Sequence, residues 1–233
     1  MITGRFIFGL LCFGITLANA ADPAPLDVEN VEVRVVAITS GKPDFAHVRG
    51  TAFLVGPRGL LATAEHVILD SKKQVIEDLY ILRPTPPDTT ASKVKVVKRF
   101  ENGRDLALLQ ISRKPEDPDL PYFEIGDAPK TGSEIFMAGY PLVFDKVYRW
   151  PLFRFGRIGS VRYYLRQSKV LVLDMVSADG FSGSPVIRSS DGKVLGVQKG
   201  GATGNAYAGF SVATELTTAD LVLTSNGSEN PSP

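Results

Sequence analysis

The sequence predicts an all-β protein: two six-stranded antiparallel β-barrels followed by a short C-terminal helix. Three observations carry this prediction. Between residues 31 and 223, short β-branched and apolar runs alternate with Gly, Pro, Asn and Asp, and no long stretch has helical periodicity, which is the pattern of a sandwich or barrel. A proline-rich segment, Lys114 to Pro121, divides these runs into two groups of six. The length of 233 residues suits one all-β unit of two packed barrels.

Taken in order, residues 1–20 read as a signal peptide. Arg5 gives a positive start, 6–17 is apolar, and Ala18-Asn19-Ala20 fits the small-x-small rule for cleavage after Ala20. The run is too short for a comfortable membrane span of about 20 residues. Cys12, the single cysteine, falls inside it, so the mature chain needs no disulfide and suits a bacterial-type export route, ending periplasmic or secreted. The first barrel is expected over 21–113, with strands at 31–38, 51–55, 60–64, 79–82, 94–99 and 106–111. Gly56-Pro57-Arg58-Gly59 turns one hairpin, and 84–90 reads as a solvated loop. Residues 114–121 are the linker. The second barrel and terminal helix are expected over 122–225, with strands at 134–138, 157–164, 170–176, 184–187, 194–198 and 207–212, and the helix over 214–223. Residues 226–233 form a polar, flexible tail.

Composition narrows the function. There are 26 Lys+Arg against 25 Asp+Glu, 22% charged and 44% hydrophobic residues, which excludes a disordered tail, a collagen-like rod and a nucleic-acid-binding polycation. With two histidines, most His-rich zinc sites are excluded as well. No metal or other cofactor is expected.

The most informative segment runs from Ser177 to Pro185. A serine with glycines on either side suits a tight turn, where the N–H groups of Gly180 and Ser182 converge to hold an oxyanion. Alone this is weak, because Gly and Ser are ordinary turn residues. Ser182 needs a base, and the base needs an orienting carboxylate. Of the two histidines, His66 follows an apolar strand, whereas His47 reads as a partly exposed strand residue. Asp105 begins an apolar strand after a turn. Singly, these are a turn serine, a surface histidine and a capping aspartate. Together, at strand ends, they suggest one site. Other hydrolases fit poorly: no histidine follows Ser182 as a lipase-like order requires, the mature chain has no cysteine, and no His-Glu-x-x-His occurs.

Thr63-Ala-Glu-His66, Asp105-Leu-Ala-Leu-Leu109 and Gly180-Phe-Ser-Gly-Ser-Pro185 resemble, in order, the three catalytic motifs of the chymotrypsin-like serine peptidases. The resemblance is nearest to the cysteine-poor bacterial branch that includes the high-temperature-requirement proteases. It spans residues 31–212 and implies Ser182 as nucleophile, His66 as general base and then acid, Asp105 as its orienting carboxylate, and the N–H groups of Gly180 and Ser182 as oxyanion hole. It implies a substrate pocket at Val176, Gln198, Lys199, Gly200 and Gly209. Valine at 176, where trypsin-like specificity places aspartate, disfavours cleavage after Lys or Arg. A small or medium apolar residue is the leading expectation, with Gln198 and Lys199 admitting a polar or acidic one. Protein or peptide substrates are implied, with neither nucleic acid nor stable membrane insertion, and the oligomeric state is left open. Two positions depart from the family. Phe181 stands where Asp or Asn is common and would narrow access, and Ser184 stands where Gly is usual and requires negative φ. No Arg-Ile-Val-Gly-Gly-like activation site precedes Gly50, so loop ordering would set activity, and 141–155, rich in aromatic and basic residues, reads mainly as barrel-to-barrel packing. No room is expected for a peptide-binding PDZ module after Leu223. A catalytically silent, protein-binding version of the fold is the alternative.

Overall fold

A computed structural model describes residues 27–85, 88–100, 103–143, 146–147, 149–164, 168–201 and 209–223. The expected signal peptide and tail lie outside these residues, as do Phe144 and Tyr148 of the aromatic-basic segment.

Strands β1 (Val35–Ser40), β2 (Val48–Gly56), β3 (Leu60–Thr63), β4 (Leu79–Thr85), β5 (Asp88–Arg99) and β6 (Ala107–Ile111) close the first barrel in the order β1-β2-β3-β6-β5-β4. The second is built from β7 (Glu134–Gly139), β10 (Leu152–Tyr164), β11 (Ser168–Asp174), β12 (Pro185–Arg188), β13 (Val194–Gly201) and β14 (Ser211–Glu215), closing as β10-β11-β14-β13-β12-β7. Counted from its own first strand, each barrel follows the same ring, 1-2-3-6-5-4. A two-stranded hairpin, β8 (Leu142–Val143) with β9 (Lys146–Val147), stands outside both.

The all-β, two-barrel prediction holds, and its local departures have physical causes. Residues 31–34 are not strand: the Asp27 side chain accepts from Asn30 N–H at 3.0 Å and caps a short helix, Val28–Glu32. Of the expected loop 84–90, residues 84–85 and 88–90 are strand, since Pro84 pairs with Thr89 and Thr85 with Asp88, extending the β4–β5 pairing; 86 and 87 lie outside the described residues. The terminal helix is one 3₁₀ turn, Thr218–Leu221, because Thr214 and Glu215 stay paired in β14. His47 ends another 3₁₀ turn, Phe45–His47, where its Nδ1 lies 2.5 Å from Asp44 Oδ1, so it is not a strand residue.

Packing explains why the barrels meet where they do. On β7, Ile135 and Met137 face the core of the second barrel, whereas Phe136 and Ala138 join the core of the first, as the two-residue period of a strand requires. Phe123, Tyr140 and Leu216 complete that shared core, with Phe53 and Phe123 edge to face at 6.1 Å. The connection between barrels is pinned to the β2–β3 hairpin: the Arg58 guanidinium donates to the carbonyls of Lys114 (2.5 Å) and Asp117 (2.7 Å). Among the described residues of the aromatic-basic segment, Phe153 is partly packed on the shared core, Phe155 is 66% exposed but keeps its ring 6.0 Å from that of Phe136, and Trp150 is exposed. The packing role expected of that segment therefore does not extend to Trp150.

Candidate active site

His66, the expected base, is held by the first barrel. β3 ends at Thr63, and a 3₁₀ turn, Glu65–Ile68, follows it. Val67 and Ile68 are buried, which turns the His66 ring outward with its side chain 47% exposed. Arg49 holds this turn by donating to the carbonyls of Val67 (2.9 Å) and Leu69 (2.7 Å).

Register brings the carboxylate to the ring. Thr63 pairs with Ala107, so antiparallel continuation places the residues after Thr63 beside those before Ala107. Asp105 has φ +51, a left-handed conformation that aspartate tolerates better than most residues. Its carboxylate accepts from the His66 backbone N–H at 2.9 Å and lies 2.9 and 3.1 Å from His66 Nδ1. Burial pushes the Asp105 carboxyl up, but the His66 hydrogen bonds and nearby Lys199 outweigh it and hold the group below the usual carboxylate range. With Nδ1–H donating to Asp105, Nε2 carries the lone pair a general base needs.

The Asp105 turn also leans on the second barrel. Arg104 donates to both carboxylate oxygens of Asp220 (2.6 and 2.9 Å) and to Glu215 O (3.0 Å), while its own carbonyl accepts from Thr214 Oγ1 at 2.5 Å. Lys199 Nζ donates to Gly103 O at 3.3 Å. The sequence does not announce Arg104, Thr214 or Asp220, because their partners are more than 100 positions away.

Ser182, the expected nucleophile, sits on a turn shaped by two glycines. Gly180 and Gly183 have φ +91 and +87, and an added Cβ would stand 2.2 Å from Tyr140 O and 2.0 Å from Thr51 O respectively. Within 180–184 the N–H groups of Phe181, Gly183 and Ser184 donate to Ala178, Gln198 and Phe181 carbonyls. Those of Gly180 and Ser182, the two assigned to the oxyanion hole, have no acceptor among the described residues. The Ser182 hydroxyl donates to Lys199 O at 3.4 Å, and no hydrogen bond joins it to His66. Phe181 is fully buried with Arg154 stacked over its ring at 5.8 Å, so its bulk goes inward and does not narrow the approach. Ser184 is also buried and is absent from the positive-φ residues, which meets the condition its side chain imposes.

The expected pocket residues differ in setting. Gln198 is 0% exposed, and its Nε2 donates to Ser177 Oγ at 2.6 Å across the gap between the segment before Ser182 and β13. Its Oε1, and Ser211 Oγ on β14, are buried without a partner. Gly200 has φ +155, Val176 and Gly209 are exposed, and the Lys199 ammonium points to Gly103 rather than across this gap. No group of three or more His, Cys, Asp or Glu among the described residues is placed to hold a metal ion, and no described helix is long and apolar enough to cross a membrane.

Comparison with known proteins bears on this geometry. The profile of the trypsin-like peptidase domain matches residues 50–197. Similar solved structures include the MamO protease domain from Magnetospirillum magneticum (21% identity, TM-score 0.63, 80% of this chain and 93% of that one). They also include a serine endoprotease from Yersinia pestis (20%, 0.61, 81% and 60%) and the HtrA-type protease AlgW with a decapeptide (17%, 0.61, 81% and 62%). This chain spans less than two thirds of the latter two. Comparison with curated protein sequences found no match.

Proposed function

Since this chain belongs to the trypsin-like peptidase family, we propose that it is an exported serine endopeptidase that cleaves proteins or peptides through Ser182, His66 and Asp105. The observation that carries this reading is the pairing of a carboxylate-held His66 with a serine turn whose two oxyanion-directed N–H groups are free. In the first step the Ser182 hydroxyl leaves Lys199 O and passes its proton to His66 Nε2 as Oγ attacks the scissile carbonyl. Asp105 stays ionised and stabilises the imidazolium. The Gly180 and Ser182 N–H groups take the negative oxygen. His66 then returns the proton to the leaving amine, and water repeats the sequence on the acyl-enzyme.

The side-chain pocket in this reading lies between Val176–Ser177 and Gln198–Gly200, with Gly209 at its edge. Behind Ser177 the carboxamide of Gln198 and Ser211 Oγ are fully buried; a substrate residue that displaces Ser177 from Gln198 meets polar groups and is an uncharged hydrogen-bonding one, alongside the small or medium apolar residue expected from sequence. Export is supported by the sequence pattern of residues 1–20, with Arg5, the apolar run over 6–17 and Ala18-Asn19-Ala20. A second reading, a silent peptidase fold that binds protein, draws on the Ser182 hydroxyl being engaged by Lys199 O and not by His66. A fluorophosphonate probe separates the two. The endopeptidase labels at Ser182 and Ser182→Ala does not; a folded wild-type protein that neither labels nor cleaves a broad peptide library establishes the silent form.

A further inference from the structure

The serine turn belongs to the second barrel, yet the residue that makes most of its cross-barrel bonds is Thr51 in β2 of the first. Thr51 is completely buried. Its hydroxyl donates to Gly180 O at 2.8 Å and accepts from Tyr140 N–H at 3.0 Å. Its backbone N–H donates to Ser182 O at 2.8 Å, and its carbonyl accepts from Thr63 Oγ1 at 2.7 Å.

These bonds bear on orientation because a peptide unit is planar, so holding its oxygen also fixes its N–H. Thr51 holds the oxygens of two alternate units, 180–181 and 182–183. The unit between them, 181–182, carries the free Ser182 N–H. The unit before them, 179–180, carries the free Gly180 N–H, and its oxygen is held by Leu142 N–H at 2.8 Å. The oxygen of unit 181–182 is held by Ser184 N–H at 2.9 Å, and the Thr51-held units flank it on both sides and border unit 179–180, so they anchor the ends about which either free N–H would turn. We infer that the Thr51 hydroxyl is a positioning group for the oxyanion hole, keeping the Gly180 and Ser182 N–H groups convergent, an inference that rests on the peptidase reading above.

The test compares Thr51→Val, which keeps the shape and removes the hydroxyl, with Thr51→Ser, which restores it. Thr39→Val serves as a control, since Thr39 is buried in the same barrel with its hydroxyl unpartnered. Steady-state hydrolysis of p-nitrophenyl acetate, corrected with Ser182→Ala and normalised to sites labelled to completion by a fluorophosphonate, gives kcat and KM. Thr51→Val lowers kcat by about 10- to 100-fold and slows labelling in parallel, with KM within about twofold. Thr51→Ser stays close to wild type, and Thr39→Val is unchanged. Folded Thr51→Val with wild-type kcat per site overturns the inference and leaves Ser182 in place as nucleophile. A wild-type protein as inert as Ser182→Ala overturns both. If Thr51→Val does not fold, Thr51→Ala against Thr51→Ser decides: equal kcat overturns the inference, and loss in Ala alone sustains it.

Discussion

The two barrels share one strand order but furnish the site in different ways. His66 is held by its own barrel, through buried Val67 and Ile68 and the Arg49 bonds to its turn. Ser182 is held across the interface, by Thr51 from the first barrel and by its own neighbours Gln198 and Lys199. Asp105 stands between these cases: it rises from the first barrel but its turn is pinned by Arg104, Thr214 and Asp220. The backbone that carries the histidine can thus be built within one barrel, whereas the serine, and the aspartate that orients the histidine ring, depend on how the two barrels dock.

The largest expected effect breaks the first-barrel half alone. Asp105→Asn presents an amide where His66 Nδ1–H needs an acceptor, favouring the wrong tautomer. Turnover of an activated ester should drop by about 10⁴-fold, with an unchanged circular dichroism spectrum. A loss below tenfold would show that His66 does not rely on Asp105.

Breaking the docking itself comes next. Arg104→Met leaves the mostly buried Asp220 carboxylate with only Thr217 N–H and Oγ1 as donors. The expected loss is about 2 kcal/mol in chemical unfolding, below the full cost of a wholly buried pair because Arg104 is partly exposed. The same variant tests the pH dependence. Burial raises the Asp220 carboxyl, but Arg104 and Thr217 more than reverse this and hold it below the usual range. A depressed folded-state value adds stability that is present above the unfolded value, near pH 4, and lost as pH falls through the folded one. The wild-type protein should therefore lose stability in acid, and Arg104→Met should lose less between pH 6 and about pH 3. Parallel acid profiles for the two proteins would rule out this coupling.

The smallest effect sharpens the second-barrel side. Gln198→Leu replaces the buried carboxamide with an apolar group of similar size. In a peptide library, preference should move from Gln, Asn, Ser or Thr toward Leu or Met at the cleaved residue by about 10-fold or more. Unaltered preference with lowered stability would make Gln198 structural only.

Much of this was legible in the residues. β-Branched runs broken by Gly and Pro determine two barrels, because alternation and turn chemistry are local properties. The site residues His66, Asp105 and Ser182 stand in short motifs whose spacing is also local. Less legible were the Val28–Glu32 helix, whose capping Asp27 precedes a Val-rich run that reads as strand, and the Pro84–Thr90 segment, where pairing with a neighbouring strand overrides the proline signal. Phe181 read as an obstacle, and only its burial beside Gly139 and under Arg154 shows it turned away.

The sequence by itself determined the two groups of six barrel strands and the candidate nucleophile, base and carboxylate. Tertiary structure alone decided which groups hold them. Thr51, Arg104 and Thr214 carry no motif, and Asp220 reads only as the local capping partner of Thr217, since a buried hydroxyl or ion pair has meaning only once its partner arrives from a distant part of the chain. The same holds for the buried Gln198 and Ser211, whose polar side chains strand pairing removes from water. Desolvation makes each unpaired or paired polar group costly enough to matter.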